Sequence, residues 1–164
     1  MSGQRMSCAR FAAMIATSTV VMYGLMYLNT YELSHIWWSQ TRAWMALLMG
    51  ATMAVVMLAF MWGMYRPLQW KLAILGGAVA VFAGSLWLVR SQETVGDISY
   101  MEAMIPHHSI AIMTSRRAHI SDPRVRELAN GIIDAQVREI GEMEALIADI
   151  ETDGEAPGEP PPVH

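Results

Sequence analysis

Residues 43 to 65 read AWMALLMGATMAVVMLAFMWGMY, twenty-three residues without a charge. At 1.5 Å of rise per residue, a helix of that length crosses the ~30 Å hydrocarbon layer of a bilayer. Phe11 to Leu28 and Leu72 to Val89 have the same character, each with 18 uncharged residues. Residues 1–90 therefore read as a membrane domain with three transmembrane helices at about 11–28, 43–65 and 69–89. The lipid bilayer is the first expected partner. Tyr27, Tyr31, Trp37, Trp38, Trp44, Trp62, Tyr65, Trp70 and Trp87 cluster near the span ends, where amphipathic rings prefer to lie.

The 164-residue chain is 54% hydrophobic and 16% charged, but the apolar excess is confined to its first ninety residues. These carry six basic residues and one acid, whereas residues 91–164 hold five arginines and fourteen acids, a net charge of −9. Nothing there is basic enough to neutralise phosphates, which argues against nucleic acid as a partner. Arg5, Arg10, Arg66 and Lys71 flank one side of the spans, and Arg42 and Arg90 the other. Four against two favours a cytoplasmic N-terminus and an extracytoplasmic C-terminal domain, which is periplasmic if the membrane is a bacterial inner membrane. The first block is long for a signal peptide and no small-x-small cleavage site follows it, so it reads as an uncleaved anchor. Cys8 precedes that block. A single cysteine forms no internal disulfide.

Residues 91–96 form a linker, after which Asp97 or Ser99 can cap a helix. Ser99 with Glu102 fits a capping box. This helix is expected to reach about Ala118. Asp122 and Pro123 mark a second start, as N-cap and first helical residue. Val125, Leu128, Ala129, Ile132, Gln136, Ile140, Met143, Ile147 and Ile150 then recur at steps of three and four, an apolar stripe on the second helix. Residues 97–151 thus form an antiparallel two-helix hairpin. Residues 152–164, rich in proline and glycine, read as a disordered tail. The fold is all-α, and the hairpin is half of a four-helix bundle completed by a second copy, because a hairpin alone leaves part of its stripe uncovered.

The first hairpin helix contains Tyr-Met-Glu-Ala-Met-Ile-Pro-His-His at 100–108. Thioether and imidazole together favour Cu(I) over hard cations. Met101, Met104 and His108 fall within roughly 60° of one another at 100° per residue, so they share a face. Folding the hairpin about residue 121 sets Met101 and Met104 opposite 139–143 and His108 opposite Ala135 and Gln136. Met101, Met104, His108 and Met143 can then converge as a soft site. His107 points about 100° away, available to a second subunit or swung inward by Pro106. The metal candidates are Met101, Met104, His107, His108 and Met143, with copper as Cu(I) the cofactor. Against this stands plain packing, because methionine fills cores well and Gln136 in an apolar stripe can simply fix register.

The run Tyr100-Met101, Met104-Ile105-Pro106-His107-His108, Ala111, Met113, Asp122-Pro123-Arg124-Val125, Leu128-Ala129, Ile132-Ile133, Gln136, Glu139-Ile140 and Met143 resembles domain-of-unknown-function family 305, of CopM type. The resemblance covers about residues 97–151. It implies a ferritin-like helical bundle outside the cytoplasm, some members being linked to copper binding and resistance through Met and His. The chain departs from soluble members in having one hairpin and three spans. A di-iron oxidase would need Glu-x-x-His pairs, and the residues three after Glu102 and Glu139 are Ile105 and Glu142. No zincin helix, phosphate loop or nucleophile elbow occurs, so no enzyme is expected.

In the second span Met45, Met49, Met53, Met57 and Met61 form an i to i+4 ladder, and in the third Gly76, Ala80 and Gly84 repeat small-xxx-small. The pair is loosely similar to three-span copper transporters, although packing between helices is the better account of the ladder. Three functions follow: a membrane-anchored module that sequesters or hands on Cu(I) to an unknown copper-handling partner, a structural module that dimerises through the hairpin, and a transporter subunit using the ladder.

Overall fold

The computed structural model describes residues 8–65 and 67–154. Among them the chain is all-helical: α1 (Cys8–Leu25), α2 (Gln40–Phe60), α3 (Leu68–Ser91), α4 (Asp97–Arg117) and α5 (Pro123–Asp153), with 3-10 turns at Leu33–His35 and Trp62–Met64. The three spans and the hairpin are where the hydrophobic pattern puts them. The first two helices begin three residues earlier than their uncharged runs and end sooner. The tail expected from 152 is helical at Thr152 and Asp153, and from residue 155 it lies outside the described residues.

The chain divides into two compact units, one comprising the chain to Leu28 together with Ser39–Val95, the other Asn29–Trp38 together with the chain from Gly96. In the first, α1, α2 and α3 are 18, 21 and 24 residues long and apolar enough to cross a membrane. The middle helix packs against both others. Lipid-exposed helices gain little from hiding apolar surface from one another, so close approach through small residues has to hold them. Ala46, Gly50, Ala51, Ala54 and Leu58 are the buried residues of α2, and three of them form an Ala-xxx-Gly-xxx-Ala repeat. A Cβ on Gly50 would lie 2.3 Å from Thr19 Oγ1. This is the small-residue contact that matters. Gly76, Ala80 and Gly84 of α3 are exposed, because α3 turns Ala78 and Ser85 inward instead. Helix pairing thus uses a different face of a different helix from the one the glycine spacing suggests.

Polar groups close the ends of this unit. Ser39 caps α2 by accepting from the Arg42 amide at 3.2 Å, and its own amide donates to the Tyr27 hydroxyl at 3.1 Å. Arg42 donates to the Met26 carbonyl at 2.9 Å, with its guanidinium 4.5 Å from the Tyr27 ring centre. At the opposite end Lys71 lies 4.3 Å over Trp62. Flanking cations are thereby held on the aromatic rings that mark the span ends.

In the second unit α4 starts one turn earlier than a Ser99 cap would allow. Gly96 is the N-cap and no side chain caps the helix, so Ser99 lies inside it and the Ser99–Glu102 box is not formed. The start of α5 follows expectation, with Asp122 accepting from the Arg124 amide at 2.9 Å and Pro123 in the first turn. Arg126 reaches back to the Ser115 and Ala118 carbonyls at 3.0 and 2.8 Å, satisfying acceptors that the end of α4 leaves open. Met101, Ile105, Ile112, Ile140 and Ile147 form the core of this unit.

The Gly50 contact carries a prediction. Gly50→Ala drives Thr19 off its hydrogen bond to the Ile15 carbonyl and costs about 1–3 kcal/mol of helix packing. Thr19→Ala in the same chain restores most of it, while Gly77→Ala, with open space around it, is neutral. Unfolding midpoints of the three variants in detergent check this.

Candidate functional site

Ile105 and Ile112 lie three residues before and four after His108, so one face of α4 carries all three side chains into the hairpin core. The His108 Nδ1 is 3.0 Å from the Met104 carbonyl, and its Nε2 is 2.8 Å from Oε2 of Glu139 on α5. The Gln136 amide donates to the same carboxylate oxygen at 3.5 Å. A carbonyl only accepts, which puts a proton on Nδ1, and an ionised carboxylate only accepts, so the set is complete when the ring carries both protons. Buried His108 is therefore the centre of a polar cluster that half-buried Glu139 and Gln136 complete toward solvent.

The neighbouring Ser109 is fully buried and serves a different partner. Its hydroxyl accepts from the Tyr31 amide at 2.7 Å and lies 3.0 Å from His35 Nδ1, to which it can give its own proton. Arg116 stacks 4.9 Å over the Tyr31 ring and donates to its hydroxyl. Tyr31 and Trp37 pack against the hairpin core. The segment between the first two spans is thus part of the hairpin unit. Tyr31 and Trp37 read in sequence as membrane-interface aromatics; here they cover helices, and Ser109, His35 and Arg116 are the residues that sequence reading missed. No short-range spacing links positions 74 to 85 residues apart, so no local signal announces them.

Of the predicted ligands, His107 stands apart from the others. Met101 is buried, and half-buried Met143 packs against the same core. Met104 is half-buried and contributes its carbonyl to His108. His107 is exposed, its ring 6.1 Å from that of His108 and edge-on to it, so it stands outside the cluster. Among the described residues no three His, Cys, Asp or Glu side chains come together as metal ligands. Opposite His108 the expected neighbours were Ala135 and Gln136; the residue that bonds to it is Glu139, about one turn further from the hairpin bend. Side chains lean toward the N-terminus of their own helix. In an antiparallel pair His108 leans away from the bend and Glu139 toward it, and the two leans close a gap that counting Cα levels leaves open.

Residues 90–160 match a domain of unknown function, DUF305. The match takes in all of α4 and α5. "Uncharacterized protein L153" of Acanthamoeba polyphaga mimivirus is 39% identical over 64 residues, 38% of this chain and 42% of that protein, so the match spans less than half the relative's length. No solved structure matches the chain significantly.

At the far end of the DUF305 hairpin, burial, with Glu151 of α5 adding to it, raises the Glu102 carboxyl above its ordinary range. An acid with a raised folded value binds its proton more tightly when folded, so its contribution to stability falls as pH rises from the unfolded carboxylate range through that value. Glu102→Gln should therefore stabilise the hairpin at neutral pH by a few tenths of a kcal/mol, and the gain should vanish below about pH 4.3. Thermal unfolding of the full chain at both pH values checks this.

A second prediction concerns the Asn29–Trp38 segment. Ser109→Ala leaves the Tyr31 amide without its acceptor at a cost of roughly 1–2 kcal/mol. Hydrogen exchange should accelerate across Asn29–Trp38 in that variant and remain slow in the middle of α5.

Proposed function

We propose that the DUF305 hairpin holds Cu(I) outside the cytoplasm, tethered to its membrane by the three spans, with His108, Met101, Met143 and Met104 as the ligand set. The observation that carries this reading is the orientation of His108. Metal-binding histidines usually give one ring N–H to a carbonyl or carboxylate, which fixes the tautomer and frees the other nitrogen. Nδ1 is held by the Met104 carbonyl, and Nε2 faces α5, the helix that carries Met143. Glu139 holds Nε2 in the absence of metal and supplies negative charge beside it when a cation takes the proton's place. His107, exposed on the outer face, is a candidate for receiving or passing on the ion. The basic residues around the spans support a cytoplasmic N-terminus, which puts Asn29–Trp38 and the hairpin together on the far side. Leu128 and Ile132, exposed on α5, support pairing with a second copy.

A second reading has its own support. The His108–Glu139 contact satisfies both ring nitrogens without a metal, as a register-fixing polar pair in an anchored structural hairpin would. The two separate in an anaerobic Cu(I) titration against a competing chelator. The full chain is needed because a fragment starting at residue 91 loses Tyr31, His35 and Trp37. Met101→Leu, Met104→Leu and Met143→Leu together keep volume and remove the sulfurs. On the metal reading this variant loses one equivalent of Cu(I), or about tenfold or more in affinity, with helicity unchanged. Unaltered binding sinks it and leaves the structural hairpin.

A further inference from the structure

The first unit has a second group of soft ligands, at the end where α1 begins and α2 stops. Cys8, Met57 and Met61 all pack against the buried cluster of Phe11, Leu58 and Tyr65. Met57 and Met61 are successive rungs of the α2 ladder, and the Met61 amide still donates to the Met57 carbonyl at 3.0 Å, so their side chains share one ridge. Tyr65 is 4% exposed, its ring held edge-on against Phe11 at 5.7 Å. Its hydroxyl is sealed from solvent and has no hydrogen-bond partner among the described residues. Native structures seldom leave a buried hydroxyl in that condition. Cys8 packs against the same buried cluster to which Tyr65 belongs.

We propose that Cys8, Met57 and Met61 form a site for a soft monovalent ion, Cu(I), with the Tyr65 hydroxyl donating to the cysteine sulfur. Binding replaces the thiol proton: Cu⁺ and the Cys8 S–H give an S–Cu bond and release H⁺, with no change of oxidation state. A metal-bound thiolate is the strong acceptor that Tyr65 lacks, and such outer hydrogen bonds hold ligands in place. Charge selects the ion. One thiolate and two neutral thioethers make a neutral complex with Cu⁺, whereas a divalent ion would leave a net charge in apolar surroundings. The first ninety residues hold only one acid, Glu32, and it belongs to the other unit, so no carboxylate is at hand for a harder cation. The site needs no metal at His108.

Cys8 is the only cysteine, which makes the test site-specific. The full chain in lipid nanodiscs is titrated anaerobically with Cu(I) against a chelator, and alkylation of the thiol is followed at each step. One equivalent of Cu(I) should block alkylation, Cys8→Ser should bind one equivalent less than the parent, and Met57→Leu with Met61→Leu should weaken protection tenfold or more while helicity is unchanged. Tyr65→Phe should weaken it less. Should Cys8 resist alkylation even without metal, the equivalent lost in Cys8→Ser is the readout. Equal stoichiometry in Cys8→Ser overturns the proposal, as does full protection in the double leucine variant, which would make the thiol an adventitious ligand. The Met101, Met104 and Met143 leucine variant keeps the Cys8 protection, so failure of the hairpin site and failure of this one are told apart.

Discussion

The buried Ser109 hydroxyl is the contact on which the second unit depends. Two helices joined by a short bend bury one face each and leave their seam open, which is marginal for a stable fold. Ser109 binds the Tyr31 amide and His35, and so fastens a third piece of chain over the seam. Tyr31 and Trp37 then supply aromatic area, and Arg116 grips the Tyr31 ring from α4. Because Asn29–Trp38 begins after α1 and ends before α2, a chain of three crossings puts it on the same side of a bilayer as the segment following α3. The hairpin is completed by chain that lies between the first two candidate spans.

Inside the first unit a different constraint rules. Lipid tails are as apolar as the helices, so no gain from hiding Leu from lipid distinguishes one face from another. Van der Waals contact does, and it is greatest where backbones come close. Ala46, Gly50 and Ala54 provide that face on α2, with Thr19 of α1 resting on Gly50. The methionine ladder runs round the same helix by about 40° per step. Met45 is therefore exposed while Met57 and Met61 reach the cluster around Leu58.

What sequence reveals follows from which signals are local. Three long uncharged runs, the Asp122-Pro123 start and the stripe from Val125 to Ile150 are each written within a few turns; the helices lie where these signals put them, with Ala129, Ile140 and Ile147 of the stripe buried and Val125, Leu128 and Ile132 near the bend exposed. The Ser99–Glu102 box is local too, but Gly96 starts the helix earlier, so a valid motif sits in the wrong register. Glu139 was missed as the partner of His108 because Cα counting ignores the lean of side chains. The packing of Tyr31 and Trp37 on the hairpin core is not legible in sequence, because an aromatic residue beside a span satisfies the interface rule equally well when its partner is a helix distant in sequence. The same ambiguity hid α2's small face: methionines at every fourth position drew the eye from the alanines and glycine one position along.

The two proposed ion sites share one electrostatic logic. At the proposed hairpin site, Cu(I) in place of a proton shared between His108 Nε2 and the Glu139 carboxylate would leave the charge of the pair unchanged. At Cys8 a neutral thiol exchanges its proton for Cu(I) and stays neutral. At each proposed site a monovalent ion would take the place of a proton without changing the net charge. A divalent ion adds a unit of charge at both places, and no carboxylate beyond Glu139 contacts His108 to absorb it. At the two proposed sites, thioether softness combined with a charge balance that only a singly charged ion preserves would favour Cu(I).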